Sequence, residues 1–125
     1  MLIDTDILIF YSRGSIKAQQ TLQQIDIIEL SIVSYMEYMQ GVKNKKELQE
    51  FEKWLKQKDI RILPINEKIS VQASQMVRQY ALSHSLYMGD ALIAATALHY
   101  KDSLLTANIK HYKMIESLEL LIFKP

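Results

Sequence analysis

The sequence predicts an α/β fold: a three-layer α/β/α sandwich around a mainly parallel central sheet of four to five strands. Three observations point to it. Short apolar runs rich in β-branched residues alternate with segments of helical period, and that alternation implies crossover connections with helices on both faces of a parallel sheet. With 3 Gly and 2 Pro, the 125 residues contain no linker, repeat or low-complexity tract, so residues 1–125 read as a single domain. Acidic residues stand where apolar runs end, which is the edge at which open α/β sheets bind their ligands.

The elements follow in order. Leu2-Ile3 starts a first strand that turns at Asp4-Thr5-Asp6, and Ile7 to Tyr11 continues as helix. Lys17 to Gln24 is a polar helix. Ile27 to Val33 has the β-branched content of a buried strand. Ser34 then opens a helix that stops near Gly41. Lys45 to Lys58 carries Leu48, Phe51, Trp54 and Leu55 on one helical face. Arg61 to Ile65 is a short strand, and Asn66 caps a helix from Glu67 to Ser83. Ala91 to Tyr100 forms the next helix, Ser103 to Thr106 a strand, Ile109 to Met114 a helical turn and Leu120 to Phe123 a last strand.

Composition narrows the function classes. A hydrophobic fraction of 49% and a charged fraction of 23% suit a soluble globular protein. The absence of cysteine excludes disulfides, thiolate metal sites and cysteine nucleophiles, and is compatible with a reducing cytosol. No apolar run reaches the roughly 18 residues that span a bilayer, and the start of the chain does not read as a signal peptide. The expectation is a cytoplasmic protein without a membrane partner. A net charge of +1 gives no whole-molecule field for nucleic acid, although basic groups cluster at Lys43-Asn44-Lys45-Lys46 and Lys110-His111-Tyr112-Lys113.

The candidate chemistry lies in the carboxylates. Asp4 directly follows a buried strand, where an acid is costly unless paired or metal-bound. Asp6 stands two residues on, Glu37 one turn past the second strand, and Asp90 at the start of the small-residue helix. Each also has an ordinary reading. Asp4, Asp6 and Asp90 suit helix caps, and Ser34-Tyr35-Met36-Glu37 has the form of a capping box. Gathered together, acids repel, and each disfavours ionisation of the next. A hard divalent cation with oxygen ligands relieves that repulsion, so the set points to metal-assisted chemistry on a phosphate ester. The 3 histidines have no zinc-ligand spacing and read as structural or surface groups. There is no Gly-rich phosphate loop and no Gly-x-Ser-x-Gly elbow.

Four segments, Leu2-Ile3-Asp4-Thr5-Asp6, Ser34-Tyr35-Met36-Glu37, Gly89-Asp90-Ala91-Leu92-Ile93-Ala94-Ala95-Thr96-Ala97 and Leu104-Leu105-Thr106-Ala107-Asn108, resemble the ordered motifs of a PIN domain. The resemblance spans essentially the whole chain and is nearest to the VapC-like toxin ribonucleases of toxin–antitoxin pairs. It implies a Mg²⁺- or Mn²⁺-dependent endoribonuclease with Asp4, Glu37 and Asp90 as catalytic metal ligands. It places Asp6, Ser34, Thr106 and Asn108 in support, with Thr106 orienting Asp4. Asn108 occupies a position that often carries a fourth acid, and Asp6 adds a carboxylate where many relatives carry Asn. The resemblance also implies an RNA substrate, a homodimer and a cognate antitoxin that covers the active site. Arg13, Lys43, Lys45, Lys46 and Lys110 are the candidate RNA contacts, and Tyr35, Met36, Tyr38 and Met39 suit either an antitoxin groove or the core.

The alternative expectation is a catalytically degenerate PIN-like module that binds protein or RNA, suggested by Asn108. Two other enzyme classes fit poorly. Asp4-x-Asp6 resembles the nucleophile motif of haloacid-dehalogenase-like phosphatases, but Leu8 stands where that family wants Thr. A receiver domain needs an acceptor Asp after the third strand, and Leu63-Pro64-Ile65-Asn66 offers none.

Overall fold

Five short apolar runs pair side by side in the computed structural model, which describes residues 1–125. They are β1 (Leu2–Ile3), β2 (Glu29–Ser31), β3 (Arg61–Leu63), β4 (Leu104–Thr106) and β5 (Leu120–Ile122), in the order β3-β2-β1-β4-β5. Every pairing is parallel. The connections are therefore crossovers, made by α1 (Thr5–Ser12), α2 (Ile16–Gln23), α3 (Ile32–Gly41), α4 (Lys45–Gln57), α5 (Glu67–His84), α6 (Met88–His99) and α7 (Ile109–Tyr112). From β1 the chain moves outward through β2 and β3, then returns to the other side of β1 as β4. The order reverses between β1 and β4, and a topological switch point opens there at the carboxyl ends of the strands.

Strand pleating divides the core in two. Leu2 and Leu104 join Ile69, Met76 and Ile93 on the α5–α6 face. Their neighbours Ile3 and Leu105 join Ile7, Leu22, Phe51 and Trp54 on the face covered by α1, α2 and α4. Two helical layers thus enclose the sheet, as the sequence predicts. Burial of each such Leu or Ile stabilises the fold by about 1.5–3 kcal/mol. Buried alanines at 91, 94, 95 and 97 keep α6 thin enough to lie close to its neighbours. Gly14, at φ +86°, takes the left-handed turn between α1 and α2 that an L side chain would strain.

Most element boundaries match the sequence reading, including the Asn66 cap of α5, which accepts from Ile69 N at 2.8 Å; Asn44 caps α4 in the same way, accepting from Glu47 N at 2.9 Å. Two differ in ways that bear on function. The second strand does not run from Ile27 to Val33: Ile27 is exposed, and β2 gives way to helix at Ile32. Ser31 causes the switch, because its Oγ accepts from Val33 N at 3.1 Å and caps α3. Local capping there overrides the β-preference of Ile32 and Val33. The last of these helices to matter, α6, starts at Met88 instead of Ala91, so Asp90 lies within its first turn rather than at its cap.

The cap assignment separates two serines. Ser31→Ala is expected to cost about 1 kcal/mol in urea unfolding, whereas Ser34→Ala, which removes only an acceptor for the Thr5 hydroxyl, is expected to give the smaller loss.

Candidate active site

Asp4 leaves β1 with 6% of its surface exposed and begins the site. Its Oδ1 accepts from Thr5 N at 2.8 Å and so caps α1. Its Oδ2 accepts from Thr106 Oγ1, also at 2.8 Å, across the β1–β4 switch point. Burial raises the Asp4 carboxyl above its ordinary value, and the Thr106 and Thr5 hydrogen bonds pull it back. Asp4 therefore caps α1 and also ties β1 to β4 at the centre of the sheet edge.

Asp6 faces the turn after β4. Its Oδ2 accepts from Ala107 N at 2.9 Å and from Asn108 Nδ2 at 3.3 Å. Its Oδ1 is buried without a partner. Burial first, and the Asp4 charge second, push its carboxyl up to about 6. Asn108 is exposed, and its backbone N–H donates to Thr106 Oγ1 at 3.0 Å. Thr106 thus stands between the turn and Asp4, and its one proton goes to the nearer acceptor, Asp4, with Asp6 at 3.4 Å.

Glu37 reaches the same edge from α3. The capping-box expectation fails for it: Ser31, not Ser34, is the cap, so Glu37 lies a turn too far along the helix to reach back. Its Oε1 instead accepts from Thr5 Oγ1 at 2.7 Å, and Ser34 Oγ lies 3.1 Å from the same hydroxyl. Gly89 lies beside the other oxygen, where a Cβ would stand in ordinary contact with Glu37 Oε2 at 3.4 Å.

Asp90 is held by two consecutive residues of α7. Tyr112 donates its hydroxyl to Oδ1 at 3.3 Å, and His111 Nδ1 lies 3.2 Å from Oδ2. Burial raises the Asp90 carboxyl, His111 opposes the rise, and the charges of Asp4 and Glu37 add to it. His111 is a surface group, as expected, and one that lies against an acid of the site. Burial and the charges of Asp4 and Asp90 drive the Tyr112 hydroxyl far above a normal phenol, so it stays a donor.

The fold gathers Asp4, Asp6, Glu37, Asp90, Ser34, Thr106 and Asn108 at one sheet edge. No three acidic or imidazole side chains close on a single point as ligands do. Each carboxylate has turned to a proton donor of the chain, which is how mutually repelling acids settle. Thr5, His111 and Tyr112 belong to the site and have no signal in the sequence beyond their position beside its motifs. The basic candidates divide. Arg13 and Lys43 line a groove of about 670 Å³ whose walls include Glu37, Tyr11, Tyr38, Phe51 and Trp54. Lys45, Lys46 and Lys110 are exposed outside it. Tyr35 and Met39 pack against the core, as does Tyr38 from the groove wall, while Met36 is exposed.

The Asp6 shift fixes a pH dependence. Its carboxyl rises from 3.8 to about 6 on folding, so the folded state holds the proton more readily than the unfolded chain. The stability contributed by neutral Asp6 is complete below about 3.8 and is lost as pH rises through about 6. In metal-free buffer the melting temperature is expected to fall across that window. Asp6→Asn is expected to flatten the fall, with Asp4 and Asp90, which shift in the same direction, supplying what slope remains.

Comparison with known proteins agrees with this geometry. Residues 1–116 match the family model of the PIN domain. Ribonuclease VapC10 of Mycobacterium tuberculosis is 33% identical over 123 residues, covering 95% of this chain and 90% of that protein. A toxin–antitoxin complex from Klebsiella pneumoniae contains a chain that is 28% identical, with a TM-score of 0.76 over 96% of this chain and 94% of its own. VapBC2 from Rickettsia felis, bound to a DNA fragment from its promoter, shares the fold at a TM-score of 0.81 and 20% identity, over 98% of both chains. The matched family model, the relative above 30% identity and the acids ordered along the β1–β4 edge lead to one conclusion: the chain belongs to the PIN domain family.

Proposed function

We propose that this protein is a Mg²⁺- or Mn²⁺-dependent endoribonuclease, the toxin of a toxin–antitoxin pair, built as a single PIN unit over residues 1–125 and working in the cytoplasm as a homodimer. The observation that carries the reading is the crowding of Asp4, Asp90 and Asp6 at the switch point, with all three carboxyls raised. The 33% identity to a ribonuclease supports the RNA substrate. No helix is long and apolar enough to cross a membrane.

The donor set fits a hard divalent cation. Asp4, Glu37 and Asp90 offer carboxylate oxygens alone, and positive charge brought among them would offset the burial of Asp4 and the neighbouring charges that raise Asp90. Held there, the cation supplies a water activated near neutral pH and neutralises charge on the phosphoryl oxygens. The residues around it orient the acids. Thr106 fixes the rotation of Asp4, and Thr5 holds Glu37. Asp6 ties down the Ala107–Asn108 turn that carries Thr106's other partner. His111, beside Asp90, is placed to meet a phosphate or to leave the carboxylate free for the cation.

RNA is expected along Arg13 and Lys43, with Lys45, Lys46 and Lys110 as outer phosphate contacts. The groove walled by Tyr11, Tyr38, Phe51 and Trp54 is also lined by Glu37, so a segment of an antitoxin lying in it would touch one acid of the site. The toxin–antitoxin relationship of the Klebsiella pneumoniae structure supports that partner.

A second reading, a PIN-like binding module without catalysis, rests on Asn108, whose amide is engaged with Asp6 and adds no charge to the site. Metal binding separates the two. On purified, antitoxin-free protein, RNA cleavage is expected to require Mg²⁺ or Mn²⁺, to stop with chelator, and to drop more than about 100-fold in Asp4→Asn and Asp90→Asn, since even groups that only orient metal ligands are worth 10–100-fold. Cleavage that persists in both variants would refute the assignment. A melting temperature indifferent to Mn²⁺, together with no cleavage, would favour the binding module.

A further inference from the structure

Tyr112 closes α7 with its side chain fully buried, and its ring belongs to the core cluster that contains Leu104, Ala94 and Ile115. The ring serves the core; the hydroxyl does not. That hydroxyl donates to Asp90 Oδ1 at 3.3 Å and stands near enough to Asp4 to favour its charged form. Asp4 follows the end of β1 and Asp90 lies in the first turn of α6, so the two acids come from separate elements. A phenol planted in the core behind them is a rigid spacer: its ring is clamped by packing, and its oxygen moves only as the core moves. A phenylalanine would fill the same ring space, so burial alone gives no reason for the oxygen. A buried hydroxyl must find partners, and here it finds the acids.

We propose that Tyr112 is a positioning residue of the acidic site, whose buried hydroxyl sets the spacing of Asp4 and Asp90 for a shared divalent cation. The proposal rests on the metal-dependent reading above. His111 acts on Asp90 from an exposed position and can swing away; Tyr112 cannot. The two neighbours thus divide the work on one carboxylate, one holding its place and the other its outer oxygen.

Tyr112→Phe tests this by Mn²⁺ titration calorimetry on the purified full chain. The expected result is a Mn²⁺ dissociation constant about 10-fold higher than wild type, in the range typical for groups that orient metal ligands. RNA cleavage is expected to fall at limiting Mn²⁺ and to return to the wild-type rate at saturating Mn²⁺. In an Asp90→Asn background the same change is expected to weaken Mn²⁺ binding by less than it does in the wild type, because the contact with Asp90 is already altered. Unchanged or tighter Mn²⁺ binding by Tyr112→Phe would overturn the positioning role while leaving the metal reading intact. So would a loss of cleavage equal at all Mn²⁺ concentrations, or loss of the cooperative unfolding transition, either of which makes the hydroxyl structural. Absence of Mn²⁺ binding by the wild type is a different result and overturns both readings together.

Discussion

The structure depends on the hydrogen bonds that hold the carboxyl of Asp4 where it is buried at the end of β1. An ion in that position without partners would cost several kcal/mol. Two 2.8 Å hydrogen bonds offset the cost, one from the backbone of Thr5 and one from the hydroxyl of Thr106. The first is local, a helix cap available to any acid before a helix. The second exists because β4 returns to lie beside β1, a hundred residues later in the chain. One side chain therefore couples the start of the first helix to the topology of the whole sheet.

Around that centre the molecule gives up stability it keeps elsewhere. At the β1–β4 edge Asp6 retains a buried oxygen with no partner, and three carboxyls are raised, all by burial and those of Asp6 and Asp90 also by neighbouring charge. Groups shifted in this way cluster at functional sites because chemistry requires the arrangement and folding does not. The donors that surround them, from Thr5, Thr106, Ala107, Asn108 and Tyr112, moderate the strain without removing it.

The sequence shows the alternation of strands and helices plainly, because β-branched runs and Asn caps carry their signals locally. It misplaces the β2–α3 junction because Ile32 and Val33 favour strand, while the decision belongs to the Ser31 hydroxyl. The error matters: the one shift that moves the cap from Ser34 to Ser31 also frees Glu37 from capping and sends it to Thr5. Asp4, Asp6, Asp90 and Thr106 were legible as acids and a hydroxyl at element ends. Tyr112 and His111 were not, since they lie in a basic stretch that reads as a solvated helix end. Only the packing of α7 beneath α6 reveals that one of them is buried and that both face Asp90. Contacts between residues 22 apart, on elements of unrelated pattern, leave no periodic trace.

The competition between capping and catalysis, which each acid poses when read alone, has a physical resolution. A cap uses one carboxylate oxygen and the positive end of a helix, and the same field favours an anion whatever else that anion does. Asp4 caps α1, Asp6 lies in its first turn and Asp90 in the first turn of α6, so two helix starts face the crowded edge with their exposed N–H groups. Those partial charges lower the cost of gathering three aspartates before any cation arrives. Glu37 is the exception: it projects from the middle of α3, is exposed, and depends on a single hydroxyl for its place. Of the acids at this edge it is the one with the least to hold it and the most freedom to move. The preorganised part of the site is thus the buried aspartates, and the adjustable part is the glutamate in the groove wall.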